Sequence, residues 1–222
     1  MSLLAPDVPY GSPAFALSDD QVATVLDLVC RGAYDARADV SQGMLEVPVT
    51  VVVRKAIRRL KRTLGLTNLQ LRGEHELKNM AAADPSILGR IDITLQFLHQ
   101  FGQEDAYVGV EYKRVRAGDA SLNGSHVSKG VDRFATGQYA AGHEWGFMLG
   151  YVLSLPVESI VDYIDTRLKK VYGPNSALVA QAPHPNSLAV LDGALQQGSH
   201  HTIRLKHIFI NMLTAAGSVT MS

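Results

Sequence analysis

An internal disulfide is excluded at the outset, because Cys30 is the only cysteine among 222 residues. The same scarcity excludes a cysteine-rich zinc module and fits a reducing compartment, so a cytoplasmic location is expected. An excess of one charge is lacking too. Lysine plus arginine equals aspartate plus glutamate at 21 each, so any polyanionic partner has to be met by a local basic patch rather than by the field of the whole molecule. No apolar run reaches the ~18 to 20 residues that cross a bilayer. The first residues also lack a basic stretch followed by an apolar one, so neither a membrane partner nor a processed leader is expected. Internal repeats and low-complexity tracts are missing. What remains, 46% hydrophobic and 19% charged residues, suffices for one good core but is short for two, and a single domain over 1–222 is expected.

Residues 1–17 place Pro6, Pro9, Gly11 and Pro13 among small residues and read as an irregular arm. Ser18 followed by Gln21 makes a capping box, and Leu17 can staple against Val22. The helix this predicts carries Val22, Val25, Leu26, Val29 and Ala33 as its apolar stripe. Cys30 lies beside the stripe and reads as a small buried hydrophobe, since no neighbour is placed to activate its thiol. Pro48 suits the first turn of a second helix with Val49, Val52, Val53, Ala56, Ile57, Leu60 and Leu64 on one face. The β-branched run 49–53 opposes this at roughly a few tenths of a kcal/mol per residue, less than the helical spacing supplies. The opposite face holds Arg54, Lys55, Arg58, Arg59, Lys61 and Arg62, the densest basic surface in the chain. It is either a solvated face or a phosphate-binding one.

From Leu69 the apolar period changes to two, predicting one strand to Lys78 with a wet face. Residues 81–89 read as a connection, and a second alternating strand follows with Ile91, Ile93, Leu95 and Phe97 inward and Arg90, Asp92, Thr94 and Gln96 outward. A third runs from Tyr107 to Val115, with Val108, Val110 and Tyr112 opposite Gly109, Glu111 and Lys113. Together they predict an antiparallel meander. After a loop over 118–124, Val127, Val131, Phe134 and Ala135 predict a helix weakened by Gly130 and Gly137. The apolar run 146–155 predicts a central strand buried on both faces. A helix from Pro156 follows, with Val157, Ile160, Val161, Ile164, Leu168 and Val171 as its stripe and Gly173-Pro174 as its end. Residues 174–199 read as a long loop and His201 to Leu213 as a last strand. The expected fold is α/β in the broad sense, strictly α+β, with a central mixed β-sheet flanked by helices.

Acidic residues stand at chosen points on the second and third strands. Neighbouring strands lie ~4.8 Å apart, so Asp92 and Glu111 can converge on one cation if register and face allow. Two carboxylates form a hard oxygen site suited to magnesium, with manganese as an alternative. Lys113 projects from the same face as Glu111, within reach of an attacking water or of charge developing on a phosphate.

The segments GRIDI at 89–93 and VGVEYKRV at 108–115 resemble the signature of the PD-(D/E)XK nuclease superfamily. The family's Asp falls on Asp92 and its Glu-X-Lys on Glu111, Tyr112 and Lys113, while Arg90-Ile91 stand where the family name shows proline. The resemblance covers about 45–155, with a C-terminal helix and strand as an extension. It implies a restriction-endonuclease-like core and a magnesium-dependent endonuclease, in which Asp92, Glu111 and the Tyr112 carbonyl hold the metal and Asp92, Glu111 and Lys113 carry catalysis. It further implies a nucleic-acid substrate, DNA in preference to RNA, and by analogy a role in bacterial antiviral defence or restriction. A further acidic ligand, as in many members, falls on Glu46 or Glu74. Glu46 reads equally well as an acid complementing a helix dipole, and Glu74 as a residue facing water. Arg54, Lys55, Arg58, Arg59 and Lys129 are the candidate nucleic-acid contacts. Gln138-Tyr139 lacks the spacing of the glutamine–tyrosine motif some relatives carry, and that motif is not transferred.

Two histidine groups stand apart. His143, beside Glu144, reads as structural more readily than as catalytic. His200, His201 and His207 suggest either a metal site or one polar strand end. Rival readings are a non-catalytic nucleic-acid-binding or assembly subunit that retains the fold, and an enzyme acting on another phosphate ester. A chain with no evident recognition module also suggests a homo-oligomer or a partner in a larger complex.

Overall fold

The computed structural model describes residues 13–41, 43–73, 75–78, 87–103, 105–198 and 201–213. Two long N-terminal helices form first, α1 (Asp19–Ala36) and α2 (Glu46–Thr63). The α1 capping box is in place: Ser18 Oγ accepts from Gln21 N, and Gln21 Oε1 accepts from Ser18 N. Val22, Val25, Val29 and Ala33 of the expected stripe are buried, as is Cys30 beside it, while Leu28 joins the buried face in place of Leu26, which is only partly covered. Burial pushes the Cys30 thiol up to about 12, with the nearby Asp27 charge adding to it, which leaves an inert side chain. In α2, Val49, Val53, Ala56, Ile57 and Leu60 are buried as the spacing requires, whereas Leu64 caps the helix and is exposed.

The sheet has seven strands: β1 (Leu69–Arg72), β4 (Ile93–Phe97), β5 (Val108–Val115), β6 (Trp145–Val152), β9 (His201–Asn211), β8 (Ala189–Gln197) and β7 (Val179–Ala180), adjacent in that order. β2 (His75–Lys78) and β3 (Ile87–Ile91) form a separate two-stranded ladder. β5–β6 and β6–β9 pair in parallel and the other ladders are antiparallel. The molecule is thus α+β with a mixed sheet flanked by helices. The antiparallel meander expected between 69 and 115 is present as β1–β4–β5. Its strands are interrupted, however. The steps Arg72↔Thr94 and His75↔Ile91 keep one register, so β1–β2 and β3–β4 are two halves of a single hairpin whose ladder breaks at Gly73 and Asp92. Residues 87–89, expected within a connection, belong to β3.

The wet face expected from Leu69 onward is present in β1, where Gln70 and Arg72 are exposed, but the one expected on β4 is covered. Thr94 and Gln96 are buried along with the apolar residues of β4, because Gln96 Nε2 donates to the carbonyls of Gln103 and Ala106 at 2.9 and 2.8 Å and folds the following turn onto that face. β5 and β6 are covered on both sides. One side packs Val110, Tyr112, Phe147 and Leu149 against α1 and α2. The other packs Met148, Leu205 and Phe209 against Phe134, Ile160 and Ile164.

The second helical layer is one helical stretch in three parts: α3 (Ala120–His126), a π-helical turn (Val127–Val131) and α4 (Asp132–Ala135). It begins inside the expected loop because the Asp119 carboxylate caps the N–H groups of Ser121 and Leu122. Gly130 is tight against the sheet: an added Cβ would lie 2.4 Å from Met148 Cε and 3.5 Å from Lys113 Cγ. α5 (Val157–Tyr172) follows β6 and ends at Gly173, φ +89°. Val157, Ile160, Ile164 and Leu168 are buried, but Val171 is 53% exposed. The expected long loop over 174–199 is corrected most: it contains β7 and the nine-residue β8, which pairs along its whole length with β9. Among the described residues no helix is long and apolar enough to cross a membrane.

Candidate active site

The β4–β5 ladder ends at Ile93↔Val110, although β5 continues to Val115. Beyond that rung no strand among the described residues pairs with this edge of β5, and its N–H groups are met by carboxylates instead. Tyr112 N donates to Asp92 Oδ2 at 2.9 Å, and Arg114 N donates to Glu46 Oε2 at 3.1 Å. Asp92 is positioned by the break between β3 and β4, and Glu46 by the first turn of α2. Glu46 therefore does more than complement a helix dipole. Glu74 lies outside the described residues.

Lys113 gathers the remaining oxygens. Its Nζ donates to Tyr112 O at 2.7 Å, Glu111 Oε1 at 2.8 Å and Glu46 Oε1 at 3.1 Å. An ammonium has three protons, so this set uses all of them. Lys113 is 8% and Glu111 1% exposed. Burial works against the ammonium, but the charges of Glu111, Glu46 and Asp92 outweigh it and hold the Lys113 pKa above its usual value. Burial, reinforced by the Asp92 charge, raises Glu111 to about 8 against the opposing pull of Lys113 and Arg133. Burial likewise raises Asp92, with Lys113 and the Tyr112 N–H opposing it. The pocket thus holds more negative charge than one lysine comfortably balances.

Arg133 on α4 completes the arrangement: its Nη1 donates to Glu111 Oε1 at 3.3 Å and to the Tyr139 hydroxyl, which in turn donates to the Arg90 carbonyl. Neither residue was expected from the sequence. No spacing motif contains Arg133, and its helix is the one Gly130 makes hardest to read; Tyr139 directly follows Gln138, which is not the spacing of the glutamine–tyrosine motif.

Among the described residues Glu111 Oε2 is buried with no hydrogen-bond partner. That oxygen, the Asp92 carboxylate and the Tyr112 carbonyl are hard oxygen donors of the kind a divalent cation takes. Asp92, Glu111 and the Tyr112 carbonyl are the residues able to hold it. Among the described residues no three His, Cys, Asp or Glu side chains are grouped to share a metal ion, so Glu46 stays with Lys113 and the Arg114 N–H.

The other candidates fall elsewhere. Lys55, Arg58 and Arg59 are exposed on α2, and Arg54 is half-buried against Gly73, whose added Cβ would lie 3.1 Å from Arg54 Nη1. Lys129 is exposed on the π-helical turn, next to the Gly130 that packs against Lys113. His143 is buried, stacks on Phe15 with ring centroids 4.3 Å apart, accepts from Tyr107 N and contacts the Ala141 carbonyl through Nδ1. Burial lowers it to about 4, so it is a neutral structural imidazole. Glu144 pairs with Arg204 at 2.6 Å. His201 meets the His143 carbonyl, and His207 pairs with His126, Nδ1 to Nε2 at 3.3 Å. Six residues apart on β9, His201 and His207 are separated by roughly 20 Å and share no metal site; His200 lies outside the described residues. Compared with known families, curated proteins and solved structures, the chain finds no match.

Proposed function

We propose that this chain is a divalent-metal-dependent nuclease with a restriction-endonuclease-like core, magnesium being its natural ion and nucleic acid its substrate. One observation carries the reading: Asp92, from the break between β3 and β4, meets Glu111 and Lys113 of β5 where the sheet edge opens, around a buried carboxylate oxygen with no partner among the described residues. When bound, the cation would polarise a phosphate oxygen and lower the pKa of a coordinated water. Asp92 and Glu111 hold the negative charge that attracts it. Lys113 turns one of its three donors toward the attacking oxygen or the charge growing on phosphorus, and Arg133 offsets charge beside Glu111. Tyr139 and the Arg90 carbonyl fix the Arg133 guanidinium in place. The test is cleavage of DNA and RNA by the purified chain with magnesium or manganese. Cutting by the wild type and its loss in Asp92→Ala and Lys113→Ala are expected; full activity in both variants overturns the reading.

A second reading rests on a different observation, the complete use of the Lys113 donors by protein oxygens. It makes the cluster a structural ion pair in a non-catalytic nucleic-acid-binding or assembly subunit. Calorimetry separates the two: nucleic-acid binding that persists in chelator, with no heat of magnesium or manganese binding, favours the second.

A further inference from the structure

Lys61 and three of the arginines on α2 line a surface that the catalytic cluster does not use. Arg54, Arg58 and Arg62 follow one another at four-residue spacing, which stacks them on one face of the helix in steps of roughly 6 Å. Like charges at that spacing repel. None of the three, nor Lys61, has a carboxylate partner among the described residues. In a chain of zero formal net charge, so much uncompensated positive charge on one helix face is a surface awaiting an anion.

The far half of this face borders a groove of about 400 Å³ lined by Arg58, Lys61, Arg62, Thr67, Gln70 and Phe101, with Leu69 and Leu71 also contributing. Its chemistry is not that of a plain phosphate site. Phe101 is a large aromatic left 39% exposed among cations, Leu71 offers an apolar wall, and Thr67 and Gln70 supply hydrogen-bonding groups. A stack-capable ring beside a row of guanidinium groups suits an unpaired base with its phosphate. A duplex, whose bases are already stacked inside, offers the row its phosphates but leaves the ring without a partner.

We infer that α2 and this groove bind single-stranded nucleic acid, with phosphates along Arg54, Arg58, Lys61 and Arg62 and a base on Phe101. That the bound strand is the substrate rests on the nuclease reading; the groove itself does not. Glu46 opens the same helix and touches Lys113, and Arg58 stands roughly 18 Å further along the axis at ~1.5 Å per residue. A stacked strand rising ~3.4 Å per nucleotide covers that span with roughly five nucleotides. The base on Phe101 is therefore a flanking one, several positions from the scissile phosphate.

The test is fluorescence anisotropy of the full chain in chelator, using one DNA sequence as a single strand and as a duplex. Tighter binding of the single strand is expected. Phe101→Ala should weaken it by roughly five- to 160-fold, the range a lost base stack gives. Arg58→Gln with Arg62→Gln should lower the slope of log affinity against log salt by roughly 1.4, two phosphate contacts on a single strand. Lys170→Glu, an exposed charge change on α5, should leave binding as in wild type. Equal or tighter binding of the duplex, unchanged affinity in Phe101→Ala, or an equal loss in Lys170→Glu overturns the inference. A parallel magnesium cleavage assay keeps the two proposals apart. A wild type that cuts while the α2 variants bind normally sinks only the groove; lost binding in those variants by a chain that never cuts sinks only the nuclease.

Discussion

The backbone N–H of Tyr112 donates to Asp92 Oδ2 at 2.9 Å, one step past the last rung between β4 and β5. A carboxylate thus takes the place of a strand carbonyl. Asparagine keeps an acceptor at that position and removes only the charge. Asp92→Asn should therefore retain the fold, with thermal unfolding and circular dichroism near wild type, and lose metal-dependent cutting.

Glu111 gives a pH signature of stability. Its folded pKa of about 8 stands above the usual value near 4.5, so the native state binds the proton more tightly than the unfolded chain. Its contribution is full below about 4.5 and is lost as pH rises toward about 8. The buried histidines act with the opposite sign: burial lowers His143 and His207 to about 4, so their contribution is full above 6.5 and lost below it. Among the described residues with shifted groups, the slope between pH 6.5 and 8 comes from the buried carboxylates. In chelator the melting temperature should fall across that window, and Glu111→Gln should flatten the fall; an unchanged slope in the variant would refute the assignment.

A cation that binds the folded chain alone should reverse the same loss. At a hundredfold excess over its dissociation constant the stabilisation is about 2.7 kcal/mol. Magnesium or manganese should raise the melting temperature of the wild type at pH 8 and leave Asp92→Asn and Glu111→Gln where they were.

Removing Lys113 leaves Glu111 without its closest cation. Breaking a buried pair from one side costs about 3–5 kcal/mol, and Lys113→Ala should lose stability on that scale in denaturant titrations. The loss should shrink as pH falls and the carboxylates take up protons. Equal destabilisation at pH 5 and pH 8 would count against the charge argument.

Arg133→Ala removes a positive charge that lowers the Glu111 pKa. The descending acid limb of any pH–rate profile should move to higher pH, whereas Tyr139→Phe, which keeps the guanidinium, should move it less.

How far these features were legible depended on period and isolation. α1, α2, α5 and β6 were readable because each repeats its apolar residues at one period between clear stops. β8 was not, because Pro183, Pro185 and the Asn and Ser residues before it extended a loop signature over a strand whose hydrophobic alternation is broken by Gly193. Covered faces were misjudged where one polar side chain, Gln96, folds a turn over its own strand. Within the site, Asp92, Glu111 and Lys113 stand out as polar residues in apolar strands. Glu46 and Arg133 reach them across the fold from helices, and no local pattern records such a meeting.

The π-helical turn at Val127–Val131 sets the phase of everything after it. Each residue of an ordinary helix advances the side chains by roughly 100°, and the wider turn takes up an extra residue without lengthening the path much. His126 before it faces His207, while Arg133 after it faces Glu111. Straightening that turn into a regular α-helix with every residue kept would swing Arg133 about a quarter-turn away from the carboxylate, disarming the site without a single change of sequence.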